Sequence, residues 1–478
     1  MALPKDFGVF LFTGLLTMPL EDFRTLVFEQ EQLMNSFLSV DFDPKLCEKI
    51  LQKKYEYHPF LGRFFDILSI SKGGYAASKE FLYDMHLQQD RWILSLFPHK
   101  ASPVIINIVK EEVKEASNML RTSLQNNQWI EFAKTFSIPN IDDVMRLDDM
   151  DKTEWPKFEG AGIQRLEHAS LLVSSEQASL LIDPIGLAVN GLTDLPNLDL
   201  VPTALNKSLD AILISHGHLD HWHLPTIINY GGSGDIPVII PHIPFPSLLS
   251  TENMPHLLES VGQRYISSAW GETINIKDIE IDVLPFYGEQ PTVSGPHAPD
   301  NVRNWGNCYR INTPQFSVII LVDSGDDVLG SVSEVIKQSV KKRGSPDMIL
   351  SCCRHITESP FFQGLFPFWM VLPIDDLREL VRDRSGRHGE SITLGPKGIG
   401  DICTIAKSKA FAPYANGFNG VNKKINDIGW SLGEPSEAEV LKTIERRIHE
   451  VGGSTKVLRW QPGDILRFNQ YGEAFIHS

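Results

Sequence analysis

Cysteine is scarce in this chain, since its 478 residues contain only five. They are scattered, without the paired spacing of a disulfide framework or a Cys-x-x-Cys metal site: Cys47, Cys308, Cys352, Cys353 and Cys403. Proteins that depend on disulfides are secreted and rich in cysteine, whereas cytosolic thiols stay reduced. The scarcity of cysteine therefore predicts a cytoplasmic protein.

Positive charge is also in short supply. Lysine and arginine together number 44 against 60 aspartates and glutamates, which gives a net charge of −16 and a pI of about 5.4. Proteins bind nucleic acids mainly through contacts of Lys and Arg with phosphates. No nucleic acid is therefore expected among the partners of this chain.

Long apolar runs are absent from the sequence, and none reaches the roughly 18 residues that a membrane-spanning helix needs. The apolar segment Gly8 to Leu20 has the composition of a signal peptide, but Asp6 precedes it and Glu21-Asp22 follow it. No small-x-small cleavage site ends the segment. We therefore predict that it is a core segment and that the protein does not associate with a membrane.

Several redox-cofactor motifs are missing as well. The sequence has one Cys-x-His, Cys353-Arg354-His355, but no second Cys/His motif to complete a Rieske site, no Cys-x-x-Cys-His haem attachment site and no Gly-x-Gly-x-x-Gly nucleotide loop. Its first third lacks the paired Glu-x-x-His of helical-bundle diiron proteins. An integral reductase domain is therefore not expected.

What is present is an ordinary globular composition, 42% hydrophobic and 22% charged, in a chain longer than one core usually supports. We predict an N-terminal accessory domain over 1–158, mainly helical (α+β), with helical spacing in Ser78 to Phe97 and Pro103 to Leu124. Its role in dimerisation, lid formation or partner docking stays open. The charged stretch Asp142 to Pro156 is the predicted linker.

Residues 159–478 show short β-rich runs interleaved with helical patterns. Predicted strands are Asp210–Ile214, Ile236–Ile240, Ile279–Leu284 and Phe316–Val322. Predicted helices are Val332–Lys342, Ile374–Arg382, Ile399–Lys409 and Ser436–Val451. This alternation predicts an α/β fold, and more specifically an αββα sandwich.

The most informative stretch is Ser215–His223, which directly follows the apolar run Asp210–Ile214 and so is predicted to be a loop at a strand end. It reads His-x-His-x-Asp-His, and its candidate metal ligands are His216, His218, Asp220 and His221. Imidazole nitrogens and carboxylate oxygens bind borderline divalent metals, so this cluster predicts a metal site. His223 lies beyond the pattern and is interpreted as a neighbouring or surface residue.

This loop resembles the signature of the metallo-β-lactamase superfamily. The segments Glu167–Leu172 and Ser179–Pro184 are similar to the family's first two strands, and the resemblance extends over roughly residues 160 to 475. It implies that His216 and His218 bind one metal ion and that Asp220 and His221 bind a second. By the same resemblance Asp323, at the end of an apolar strand, bridges the two ions.

Two positions depart from the family's ligand pattern. After the strand predicted at 279–286 the family usually has a histidine, where this chain has Glu289, with His297 eight residues further on as a weaker candidate. The family's last histidine follows a short strand, and Ala415 occupies that place. His355 is an alternative ligand for the vacancy, and it is equally compatible with a structural role.

Both departures favour iron over zinc. A glutamate in place of histidine adds a hard anionic oxygen donor, and the missing histidine opens coordination positions for dioxygen. The chain thus resembles the metallo-β-lactamase-fold diiron oxygenases, the branch that includes the β-hydroxylase of chloramphenicol biosynthesis. The resemblance implies that His216, His218 and Glu289 hold the first iron ion, with Glu289 and Asp323 most directly involved in catalysis.

The function expected from this resemblance is a non-haem diiron monooxygenase of the hydroxylase type. Its substrate would be a small natural-product intermediate, free or tethered to a carrier protein, and its partners dioxygen and an external electron donor. The first alternative is a dizinc hydrolase similar to the lactonases and phosphodiesterases of the superfamily. The second is a binding protein with a decayed site. A homodimer is compatible with the sequence.

Overall fold

The structure is a computed structural model. It describes residues 8–16, 36, 39–40, 43–57, 65–67, 75–77, 89–97, 104–108, 110–126, 135, 158–166, 168–185, 208–218, 220–244, 253–288, 305–327, 329–355, 391, 393–416 and 435–477. The predicted linker at 142–156 and the predicted helix at 374–382 lie outside these residues.

The N-terminal part combines strands and helices. Its elements are β1 (Gly8–Leu16), α1 (Pro44–Tyr57), β2 (Phe65–Ile67), β3 (Tyr75–Ala77), β4 (Gln89–Phe97), β5 (Val104–Ile108) and α2 (Val113–Asn126). Strands β1, β4 and β5 form an antiparallel sheet in that order, and β2 pairs with β3. The apolar segment predicted at the N-terminus therefore contains strand β1.

Two helical predictions in this part were wrong in detail. The segment Ser78 to Phe97 ends in strand β4, and the segment Pro103 to Leu124 begins with strand β5 before helix α2. Strand β5 reads Val-Ile-Ile-Asn-Ile, a β-branched run that suits a pleated sheet. The pairing of β4 with both β1 and β5 decides the outcome, because apolar spacing alone does not distinguish a short buried strand from a helix.

Residues 158–477 contain two further sheets. The strands are β6 (Gly162–Arg165), β7 (Leu171–Ser174), β8 (Ser179–Ile182), β9 (Ala211–Leu213), β10 (Val238–Pro241), β11 (Tyr265–Ser268), β12 (Thr273–Ile276), β13 (Ile279–Pro285), β14 (Asn307–Asn312), β15 (Ser317–Val322), β16 (Met348–Ser351), β17 (Ala410–Pro413), β18 (Lys456–Val457), β19 (Ile465–Phe468) and β20 (Ala474–His477). One sheet has the order β11-β10-β9-β8-β7-β6-β19-β20 and the other β12-β13-β14-β15-β16-β17-β18.

Five helices accompany these sheets within the described residues: α3 (Leu224–Tyr230), α4 (Met254–Ser260), α5 (Val332–Arg343), α6 (Gly395–Ala406) and α7 (Glu437–Glu450). Helices α3 and α4 share an apolar cluster with the outer face of the first sheet. Helices α5, α6 and α7 share another with the outer face of the second sheet. A third cluster contains residues of both sheets and lies between them. The predicted αββα sandwich is confirmed.

Strand β9 shows how the sequence builds these layers. Ala211 and Leu213 belong to the cluster between the sheets, whereas Ile212 belongs to the cluster under the helices. Successive side chains of a strand point to opposite faces, so a strand buried on both sides is apolar throughout. The same rule explains the continuous apolar run of β15, in which Ile319 and Leu321 face the helices of the second sheet.

Helix α2 is built into the first helical layer although it belongs to the N-terminal part. Its residues Val113 and Ala116 are buried in the same cluster as Trp222. Trp222 lies in the predicted metal-binding loop Ser215–His223 (the metal loop). The buried Arg121 guanidinium donates hydrogen bonds to the Val261 carbonyl at 3.0 Å and to Gln263 Oε1 at 3.1 Å. The N-terminal part therefore contributes directly to the packing behind the loop.

Of the helices within the described residues, none combines the length and the apolar character that crossing a bilayer requires.

A buried carboxylate ties β13 to helix α5. Asp282 accepts hydrogen bonds from Lys342 Nζ at 2.8 Å and Arg343 Nε at 2.9 Å, and its side chain is only 3% exposed. Burial alone would raise the pKa of Asp282, but the hydrogen bonds from Arg343 and Lys342 hold it below its ordinary value. Because the folded pKa is lowered, the stabilisation is complete above the unfolded pKa of about 3.9 and is lost at lower pH.

We expect Asp282→Asn to lower the free energy of unfolding by about 1–3 kcal/mol, since it removes charged hydrogen bonds from a buried site. Urea unfolding at pH 6 and pH 8 should give the same loss, because the carboxylate is ionised at both values. Glu280→Gln is the matched control: Glu280 contacts the same Arg343, but its side chain is 48% exposed. It should cost less than about 1 kcal/mol, and equal losses in the two variants would contradict the prediction.

Candidate metal centre

The candidate site is assembled from strand ends and one turn. The turn Leu166–Ser170 joins β6 to β7, Asp183 follows β8, and the loop Ser215–His223 follows β9. From the second sheet come Asp323 after β15 and Ala415 after β17. Strands β8 and β9 are parallel, as are β15, β16 and β17, so their carboxyl ends reach the same edge of their sheets.

His216 and His218 face each other in the loop. His216 Nε2 lies 3.1 Å from His218 Nδ1, and its ring stacks on Phe286 with the ring centroids 4.9 Å apart. Burial above all, and then His221 and His218, lower the pKa of His216 well below its ordinary value. A neutral imidazole can offer a nitrogen lone pair to a metal ion.

His221 is surrounded by carboxylates. Its Nε2 atom lies 2.9 Å from Asp323 Oδ2 and 3.7 Å from Asp220 Oδ2, and its Nδ1 atom lies 3.0 Å from Asp183 Oδ2. Burial alone would lower the pKa of His221, but Asp220, Asp323 and the hydrogen bond with Asp183 raise it well above its ordinary value. A metal ion would replace the proton as the positive charge among these carboxylates.

Asp183 sets the orientation of His221. Its buried carboxylate accepts hydrogen bonds from the Ser215 backbone N–H at 2.7 Å and from the Ser215 hydroxyl at 2.5 Å. When Nδ1–H of His221 donates to this carboxylate, Nε2 is left facing Asp323, which is the arrangement of a metal-binding histidine oriented by a carboxylate. The family resemblance had indicated Asp183 only as a strand-end residue.

Asp323 is presented by an irregularity in β15. The register with β16 shifts between Ile320 and Val322, and Val322 has a φ of 54°, where β-branched residues are rarely found. The amide of Cys352 donates to the Val322 carbonyl at 2.9 Å and helps to hold this conformation. Bulges redirect the side chains that follow them, and here the next side chain is the carboxylate beside His221.

His168 is a residue of the candidate site that no sequence motif indicated. Its Nε2 atom lies 2.8 Å from Asp220 Oδ2, and its ring centroid lies 5.3 Å from that of His221. The sequence showed it only as part of a strand-like segment, 52 residues from Asp220. The signal available was indirect: Ala415 left the second metal ion short of a histidine, and His168 was an unassigned histidine within the resemblance.

The donor atoms form two overlapping groups that share His221. Within the described residues, the groups close enough to hold an ion are His168, Asp220 and His221, and His216, His221 and Asp323. Ligands that bind one ion at about 2.0–2.2 Å lie about 2.8–3.6 Å from one another. Within these groups the observed separations of 2.8 and 2.9 Å lie in that range, and the separation of 3.7 Å lies just above it. Nitrogen and carboxylate oxygen are suitable donors for iron or zinc.

The remaining predicted residues have different outcomes. Glu289 and His297 lie outside the described residues, so the ligand role of each stays a prediction. His218 and His355 are described and belong to neither donor group. His223, the last residue of the loop, is buried; its Nδ1 atom lies 2.6 Å from Thr226 Oγ1, and burial lowers its pKa to about 4.

Comparison with known proteins defines the class of this domain. Residues 162–327 match the family model described as a beta-lactamase superfamily domain. The chain therefore contains a beta-lactamase superfamily domain, and the resemblance predicted from its sequence is confirmed. A comparison with curated proteins gave no match.

Two solved structures are similar to nearly the whole chain. CmlA, a diiron beta-hydroxylase from Streptomyces venezuelae, has 13% sequence identity and a TM-score of 0.56, over 96% of this chain and 98% of that chain. A mutant of the CmlA beta-hydroxylase has 14% identity and a TM-score of 0.57, with the same coverage. An isothiocyanate hydrolase from Delia radicum gut bacteria has 14% identity and a TM-score of 0.40, over 64% of this chain and 99% of that chain. The first two similarities establish a common fold.

We expect Asp183→Asn to weaken Zn²⁺ binding by about 10–100-fold, since it removes the carboxylate that orients His221. Titration of the metal-free chain in competition with a chelator measures the change. Asp210→Asn is the control, because Asp210 binds the Ser179 amide at the opposite end of β9. Equal affinities in the two variants would show that Asp183 does not orient the ligand.

Proposed function

We propose that this chain is a dioxygen-activating non-haem diiron monooxygenase that hydroxylates a small natural-product intermediate, free or tethered to a carrier protein. The observation that carries the proposal is the share of the chain over which it is similar to the diiron beta-hydroxylase structures. The similarity to the diiron beta-hydroxylase structures extends over 96% of this chain, and so includes the N-terminal part as well as the matched domain. The N-terminal helix α2, packed behind the metal loop, supports a function that involves both parts.

The ligand set supports the same proposal. His216, His218 and Glu289 would hold the first iron ion, Asp220 and His221 the second, and Asp323 would bridge them. Glu289 supplies a hard anionic oxygen that favours iron over zinc. The reaction consumes dioxygen, two electrons from an external donor and two protons, and yields a hydroxylated product and water, with the redox chemistry supplied by iron when it is bound.

The chain's own residues would shape the site around this chemistry. Phe286 stacks on His216 and would cover one side of the first metal position. Beyond it, Trp270 lies 5.4 Å from both Tyr287 and Trp305, measured between ring centroids. Substrate pockets combine apolar and aromatic walls with a few polar groups. These rings therefore provide a hydrophobic wall for a small organic substrate.

The alternative is a dizinc hydrolase, and one observation favours it. His168 places an additional imidazole beside Asp220 and so increases the nitrogen available to the second metal ion. Hydrolytic dizinc sites favour nitrogen-rich ligands and need one activated water. The identity of the metal ions therefore separates the two functions.

Protein purified from iron-supplemented cells should contain about two iron ions per chain by elemental analysis. With a chemical reductant present, it should consume dioxygen. A colourless protein that contains two zinc ions, consumes no dioxygen and hydrolyses a lactone or phosphodiester would establish the alternative.

Replacement of Glu289 tests the ligand that favours iron. Glu289→His should shift metal preference to zinc and suppress dioxygen consumption, because histidine offers one neutral nitrogen in place of an anionic carboxylate. Glu289→Asp should have a smaller effect, since it keeps the charge and shortens only the reach. His297→Ala is the companion variant, and it should keep its iron. Loss of iron in His297→Ala together with its retention in Glu289→His would assign the ligand role to His297.

A further inference from the structure

The second metal position lacks the histidine that the superfamily supplies after β17, because Ala415 stands there. Ala415 is nevertheless part of the site. It is buried, its φ is 57°, and its amide donates a hydrogen bond to the His168 carbonyl at 3.1 Å. The residue that replaces the histidine thus binds the main chain of another histidine.

The His168 side chain is directed at the second metal position. Its Nε2 atom is 2.8 Å from Asp220 Oδ2, and it forms one donor group with Asp220 and His221. It is 6% exposed, so it is buried beside these ligands. Asp220 and His221 are the residues that the family resemblance assigns to the second ion.

The turn that carries His168 is held rigidly. The Leu166 amide donates to the Ser170 carbonyl at 3.0 Å, and His168 adopts a φ of 50° within this turn. The Ser170 hydroxyl donates to the Asp183 carbonyl at 2.8 Å and accepts from the Ile185 amide at 2.9 Å. The turn is therefore connected to the segment that orients His221, and strained backbone of this kind is typical of functional sites.

We infer that His168 is a ligand of the second metal ion and takes the coordination position that Ala415 leaves. The second ion then has two imidazoles, His168 and His221, and two carboxylates, Asp220 and Asp323. The inference rests on the dimetal site of the proposed function, and it holds whether the ions are iron or zinc.

A simpler role for His168 is to donate a hydrogen bond to Asp220 and position that carboxylate. Glutamine and glutamate separate the two roles, because they have the same size and a reach similar to that of histidine. The glutamine amide can donate to Asp220 but is a poor metal ligand, whereas the glutamate carboxylate can bind a metal ion but cannot donate. His168→Gln therefore keeps the hydrogen bond and loses the metal ligand, whereas His168→Glu keeps a metal ligand and loses the hydrogen bond.

The experiment measures Zn²⁺ binding to the metal-free full-length chain by competition with a chelator. His168→Gln should weaken the second Zn²⁺ by about 10–100-fold, whereas His168→Glu should keep it within about tenfold of wild type. His223→Gln is the matched control, since His223 is a buried histidine bonded to Thr226 and outside both donor groups. It should bind two Zn²⁺ ions. Wild-type affinity in His168→Gln would overturn the inference.

Ala415→His provides a second measurement that does not depend on the Glu variant. Added to His168→Gln, it should restore the second Zn²⁺, and histidine tolerates the left-handed backbone at this position better than most residues. Added to wild type, it should give no gain, because His168 already fills the position. An equal gain in affinity for the second Zn²⁺ ion in both backgrounds would show that residues 168 and 415 act independently, and it would overturn the inference.

The outcomes for metal binding and for oxygenase function are distinguishable. A wild-type chain that binds two Zn²⁺ ions and loses one in His168→Gln, but never consumes dioxygen with iron, contradicts the proposed function alone. A wild-type chain that binds a single Zn²⁺ ion contradicts this inference together with the dimetal site.

Discussion

The contact of one buried imidazole with three carboxylates is the constraint around which the site is arranged. His221 has Asp183 on one ring nitrogen and Asp220 and Asp323 near the other. Asp183 and Asp323 are buried and Asp220 is partly exposed, and carboxylates this close together repel, so a cation among them is favourable. Although burial alone would lower it, Asp220, Asp323 and the hydrogen bond with Asp183 raise the pKa of His221, in keeping with this need for positive charge. A metal ion would supply more positive charge and a fixed geometry. Metal binding would therefore also stabilise this part of the structure.

The sandwich holds these like-charged groups close together because its packed strands fix the positions of the strand ends. Six described residues other than glycine have a positive φ, and four of them surround the site: His168, Asp183, Val322 and Ala415. Each such conformation costs on the order of 1–3 kcal/mol and persists only where the surrounding structure enforces it. Here the enforcement comes from the apolar clusters on both faces of β8, β9 and β15. Strain at the strand ends is thus maintained by burial along the strands.

Features set by residues close together in the sequence could be predicted, whereas features set by contacts between distant residues could not. The αββα layers could be predicted from local patterns. Strands β9 and β15 are apolar on both faces, and the helices that cover the second sheet have apolar residues at helical spacing. The candidate metal ligands of the loop Ser215–His223 were evident, since they lie within six residues of one another. His168 was missed because its contact with Asp220 is made across the first sheet. The strands β4 and β5 were missed for the same reason, as their pairing and not their spacing decides their conformation.

The assignment of His168 changes what each departure from the family pattern contributes. Taken alone, Ala415 removes a ligand and opens the second metal ion to dioxygen. If His168 supplies the imidazole from a turn of the first sheet, the number of protein ligands is restored and Ala415 no longer argues for an oxygenase. Under the proposed function, Glu289 would then carry the chemical distinction, because it alone would replace a neutral nitrogen by an anionic oxygen. The choice between hydroxylation and hydrolysis would in that case be made at the first metal ion.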